Sequence, residues 1–74
     1  MNERQYEIYK FIVSYAEKNL YAPTFKEIQQ AVGLKSRSSV SYNLLVIEQL
    51  GYIKVKMNAA RAITLQGYKI VKVA

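Results

Sequence analysis

The chain has no cysteine and no histidine. Disulfides and the ligand sets of the common zinc sites are thereby excluded, so packing and hydrogen bonds alone must hold the fold, and a reducing, cytoplasmic setting fits best. Long apolar runs are missing too. None approaches the roughly 18 residues of a membrane span, and the N-terminal MNERQYEIYK mixes acids with bases and leads into no apolar stretch of the kind an export signal carries. A soluble protein, neither exported nor membrane-bound, is expected. Repeats, low-complexity tracts and linkers are also lacking, so the 74 residues read as one domain, 1–74. A domain of this size buries only about 60% of the surface its unfolded chain exposes. Beside such a core there is little room for a substrate pocket of roughly 300 Å³, and no small-molecule substrate or cofactor is expected.

Acid is scarce in one half of the chain only. Residues 1–34 hold four bases (Arg4, Lys10, Lys18, Lys26) and four acids (Glu3, Glu7, Glu17, Glu27), whereas residues 35–74 hold seven bases and Glu48 alone. The net charge of +6 therefore resides in the second half. Such asymmetry points to a polyanionic partner facing that half, nucleic acid before an anionic membrane surface; the bland reading is a merely solubilising charge.

One proline and three glycines divide the chain. Asn2 with Gln5 forms a capping box for a first helix over about 3–18, in which Ile8, Phe11, Ile12 and Tyr15 recur at helical spacing. Pro23 ends any helical reading of Ala22. Thr24 with Glu27 is a second capping box, opening a helix over 25–32 whose stripe is Phe25, Ile28 and Val32 and which Gly33 closes. Ser36 caps a third helix over about 37–50 with Val40, Leu44 and Ile47 as its buried face, and Gly51 stops it. After Gly51 the period falls from 3.6 to 2: strands over 52–56 and 61–65 with Ile53, Val55, Ile63 and Leu65 inward. Residues 68–73, YKIVKV, read as a third strand or, alternatively, a C-terminal helix. The fold class is mainly α with a small β-sheet.

A short capped helix, a glycine turn and a second helix with a polar outer face make a helix-turn-helix, which lays its second helix in the major groove of DNA. Opposite Val40, Leu44 and Ile47 lie Ser38, Ser41, Tyr42, Leu45 and Gln49; with Ser39 near the helix start, these hydroxyls stand where base edges would be. Leu45 suits a thymine methyl, or covers a neighbouring loop. Thr24, Lys26, Lys35, Ser36 and Arg37, at or near helix starts, and Lys54 and Lys56 on the hairpin suit phosphates. The hairpin is then the wing of a winged helix-turn-helix, with Asn58 and Arg61 near its tip. Arg61 is available to a narrow minor groove, or is a solvated turn residue.

The stretches RQYEIYKFI, YAPTFKEIQQAVGLKS, SSVSYNLLVIEQLGYI and RAITL resemble the DNA-binding domain of LexA, the bacterial SOS-response repressor, over about residues 3–65. The resemblance implies a transcriptional regulator, in the sense of a repressor, bound to double-stranded DNA in a bacterial cell or phage-infected host, with Ser36, Ser38, Ser39, Ser41 and Tyr42 facing the operator. It implies nothing for self-cleavage, since the Ser/Lys peptidase domain of LexA has no counterpart among these residues; the chain reads as a stand-alone relative or a fragment. An enzyme using Lys35 and a neighbouring serine would need a desolvated lysine in a pocket. The remaining rival is a winged helix used as an anti-repressor or assembly adaptor, with a second copy or another protein as partner. It has the same patterning but does not require the basic second half.

Overall fold

A computed structural model describes residues 1–56 and 61–67. Asn58, and the strand or helix expected over 68–73, lie outside the described residues. Three helices precede a two-stranded hairpin: α1 (Glu3–Asn19), α2 (Phe25–Val32), α3 (Arg37–Gln49), β1 (Ile53–Val55) and β2 (Ile63–Leu65). This is a winged helix-turn-helix. Among the described residues no helix is long and apolar enough to cross a membrane.

Each helix start is explained by its cap. Asn2 Oδ1 accepts the Gln5 amide at 2.8 Å while the Asn2 amide donates to Gln5 Oε1 at 3.1 Å. Thr24 Oγ1 accepts the Glu27 amide at 3.1 Å while the Thr24 amide donates to Glu27 Oε1 at 2.7 Å. Both reciprocal pairs satisfy amides that have no partner inside the helix. Between α2 and α3 the chain must reverse in four residues. Gly33 takes φ 71° and the Leu34 amide reaches back to the Gln29 carbonyl at 3.0 Å, the closure a left-handed glycine permits. A Cβ at Gly33 would meet nothing within 4 Å, so backbone conformation and not space demands the glycine.

The helices enclose one core of Ile8, Ile12, Ala22, Ile28, Val40, Leu44, Ile47, Ile53 and Ile63, with Phe11, Phe25, Leu34, Val55 and Leu65 packed around it. Both i,i+4 stripes of α1 and α3 and the inward face of the hairpin therefore meet at the same place. β1 and β2 are antiparallel with Ile53 opposite Leu65, Lys54 opposite Thr64 and Val55 opposite Ile63. The strands are shorter than the 52–56 and 61–65 expected from alternation. Pairing nevertheless continues one step either way, through Gln66 N–H to the Tyr52 carbonyl at 3.0 Å and Lys56 N–H to the Ala62 carbonyl at 2.9 Å.

Gln5 is the one buried polar side chain among the described residues. Its Nε2 donates to Asn43 Oδ1 at 3.2 Å, and Asn43 Nδ2 donates to the Ser39 carbonyl at 2.7 Å. With the Asn2 amide at one end and the Ser39 carbonyl at the other, four residues link the start of α1 to the first turn of α3.

Candidate nucleic-acid interface

The start of α3 differs electrostatically from the other two. Glu3 and Glu27 stand in the first turns of α1 and α2 and offset the positive end of each helix dipole; α3 has no acid there. In its place Lys35 precedes the helix and Arg37 opens it, both exposed. Ser36 caps the end, its Oγ accepting the Ser39 amide at 3.2 Å with the two hydroxyls also 3.2 Å apart. Ser39 is half-buried and engaged in this cap, which sets it apart from its neighbours. The Arg37 guanidinium lies over the Phe25 ring at 5.4 Å, packing it against the first residue of α2. Nearby, Thr24 caps α2 and Lys26 is exposed in its first turn.

Ser38, Ser41, Tyr42 and Leu45 form one exposed face of α3, with Gln49 beyond. Tyr42 is 65% and Leu45 51% exposed. The face carries small hydroxyls and two large, partly apolar side chains one turn apart. It holds no carboxylate.

On the wing, Lys54 and Lys56 alternate with the inward Ile53 and Val55 and are exposed. Glu48 Oε2 accepts the Val55 amide at 2.8 Å and so ties β1 to α3. Arg61 departs from expectation. Instead of projecting from the wing for a minor groove or into solvent, its guanidinium folds back: Nη1 lies 2.9 Å from Glu27 Oε1, 3.0 Å from the Tyr15 hydroxyl and 3.0 Å from the Ala22 carbonyl. The guanidinium also lies 4.3 Å from the centroid of the Tyr21 ring. The Tyr15 hydroxyl donates to Glu27 Oε2 at 2.8 Å, so the guanidinium meets an anion and a hydroxyl already held together. The same contacts govern protonation. The Thr24 backbone amide first, then the Tyr15 hydroxyl, hold the Glu27 carboxyl down at about 2 from an ordinary 4.5. Loss of hydration first, then the bond to Glu27, raises the Tyr15 hydroxyl, and the Tyr15 hydroxyl is the foremost cause raising Arg61.

The profile of the family described as LexA DNA binding domain matches residues 1–62. The chain belongs to the LexA DNA-binding domain family. This LexA-type domain is 38% identical over 65 residues to the LexA repressor of Herpetosiphon aurantiacus, which is 88% of this chain and 30% of that protein. It is 40% identical over 63 residues to the LexA repressor of Bifidobacterium adolescentis, 85% of this chain and 24% of that one. For the LexA repressor of Mycolicibacterium paratuberculosis the identity is 39% over 67 residues, 90% and 29% of the two chains. The chain spans about a quarter to a third of the length of these curated relatives. The family is a DNA-binding domain and not a catalytic one, and membership leaves the adaptor reading without favour.

Three roles in this LexA-type domain escape a reading of its sequence. Glu27 shows there only as half of a capping box, although its second oxygen and its charge serve Tyr15 and Arg61. Glu48 carried a signal in being the lone acid of the second half, and its task is to hold the wing. Gln5, half of the other capping box, also reaches α3 through Asn43.

Proposed function

We propose that this domain binds double-stranded DNA sequence-specifically as a LexA-like transcriptional regulator, acting as a repressor inside a bacterial or phage-infected cell. In this reading α3 lies in the major groove and the wing runs along the backbone or minor groove. Ser38, Ser41, Tyr42 and Leu45 meet base edges, with Ser39 behind them completing the cap. Lys26, Lys35, Arg37, Lys54 and Lys56 meet phosphates, as do the hydroxyls of Thr24 and Ser36. The observation that carries the reading is the start of α3, where an uncancelled helix dipole, two cations and a carboxylate-free, hydroxyl-rich face coincide. Five exposed cations imply that log affinity falls with log salt at a slope of about −4.5. A single winged module covers only about 600–1,000 Å² of its own surface, so high specificity calls for a second copy on a neighbouring half-site.

The test uses a preferred duplex selected from random DNA, and a scrambled one. Lys35→Ala or Arg37→Ala weakens both duplexes alike and makes the salt slope shallower by about one unit, since a phosphate contact carries no sequence information. Ser41→Ala or Tyr42→Ala costs about 1–3 kcal/mol on the preferred duplex and little on the scrambled one. Thermal melts exclude unfolding as the cause, and light scattering counts the copies on each duplex. If the serine and tyrosine variants bind both duplexes as the parent does, α3 is not the reading element.

A further inference from the structure

Arg61 sits at the point where the wing turns into β2, and everything its Nη1 touches belongs to another part of the fold: Tyr15 on α1, Ala22 in the connection and Glu27 on α2. The backbone there is left-handed, φ 52°, which a residue with a side chain adopts only at a cost. Side-chain exposures of 37% for Arg61 and 33% for Glu27 put the pair at the edge of water, where the three oxygens and the Tyr21 ring, more than charge alone, fix its geometry. The other strand is held separately, by Glu48 on α3. The wing thus hangs from two carboxylates on two different helices.

We propose that the Arg61–Glu27 pair is a clasp that sets the wing's position relative to α2 and α3, and that both are positioning residues for DNA binding and not DNA contacts. The inference rests on the DNA-binding reading above. Phosphates are met at fixed spacing, so Lys54 and Lys56 contribute together with Lys35 and Arg37 only if the wing is held in place before the encounter; otherwise its ordering is subtracted from affinity. It follows that Glu27, a negative charge on a protein gripping a polyanion, strengthens binding.

The decisive variant is Glu27→Gln. Glutamine at that position still reaches back to the Thr24 amide, so the cap of α2 survives while the charge is lost. Because the retained Oε1 also accepts from Arg61, Glu27→Gln weakens the clasp without abolishing it, so the salt slope becomes shallower and binding weaker, each by less than in Arg61→Ala. Arg61→Ala removes the guanidinium from all three oxygens and releases the two wing lysines, so the slope becomes shallower by about two units and binding weakens up to about sixtyfold at 0.1 M salt. The double variant loses no more than Arg61→Ala alone, and the Lys56 amide of the free protein exchanges faster in all three, with thermal melts confirming that each is folded. Binding by Glu27→Gln as tight as the parent's or tighter, the result of simply deleting a negative charge, overturns the clasp. So does a loss of one slope unit in Arg61→Ala with none in Glu27→Gln, which makes Arg61 a direct contact. Should the parent itself bind without salt dependence, the reading of the interface fails instead. Amide exchange then decides the clasp alone, and unchanged Lys56 exchange in both single variants overturns it.

Discussion

Leu45 offers a test of base reading at the level of a single methyl group. It is 51% exposed on the face that would enter the groove. Fully burying a leucine side chain contributes about 1.5–3 kcal/mol, and about half of that gain has already been made within the fold. About 0.8–1.5 kcal/mol is left to gain against DNA, or about four- to twelvefold in affinity. The only large apolar group a base pair presents in the major groove is the thymine methyl. The hypothesis is therefore that at least one thymine of the preferred site meets Leu45. Replacing thymines by deoxyuridine one at a time deletes one methyl each and changes no hydrogen bond; at the matching position the loss should be about fourfold, from about 0.8 kcal/mol per buried carbon. In Leu45→Ala that position should become nearly indifferent to the methyl, while other positions respond as before. Fluorescence anisotropy at one fixed salt concentration measures all four combinations. If methyl deletion has equal effects on parent and variant at every position, Leu45 meets no thymine and the reasoning from its exposure is wrong.

Three further outcomes concern stability. Because the Glu27 carboxyl is held at about 2 in the fold against an ordinary 4.5, the unfolded chain takes up its proton first as pH falls. The contribution of Glu27 is complete above about pH 4.5 and is lost toward pH 2, so urea melts of the parent should approach those of Glu27→Gln across that window. A constant gap between the two refutes it. Leu44→Ala, at a position 1% exposed, should cost about 2–5 kcal/mol, lowering the melting temperature by about 4–8 °C per kcal/mol, and a smaller loss means the core collapses around the gap. Gly33→Ala should cost about 1–2 kcal/mol through backbone conformation alone, with Gly33→Asn milder; equal melts for all three would show that the turn does not need its left-handed glycine.

What could be read from the sequence was what acts over a few residues. Both capping boxes span three positions, the core stripes repeat within a turn or two, and the change of period at Gly51 is a change between neighbours. Three helices and a hairpin were therefore legible, and so was the exposed face of α3, which follows from the stripe opposite it. Strand lengths were not, because alternation outlasts regular pairing at Tyr52 and Lys56. The end of α1 fell within one residue of the expected 18, but the residue that closes it did not show: Leu20 takes φ 64°, a conformation that points to glycine or asparagine when sequence is the guide. The inward turn of Arg61 was not legible because its partners lie 34 to 46 residues away. At that separation nothing in local pattern distinguishes a guanidinium turned inward from one facing a groove.

The link from Asn2 through Gln5 and Asn43 to Ser39 makes the start of α1 a neighbour of α3 in every sense but proximity along the sequence. Trimming Asn2 removes the amide that holds Gln5 Oε1, and Gln5 Nε2 then grips Asn43 on α3 less firmly. A change of that kind would be felt as altered choice among DNA sequences, with every side chain near the DNA intact. On the proposed function, binding profiles of the protein with and without Asn2 should therefore differ.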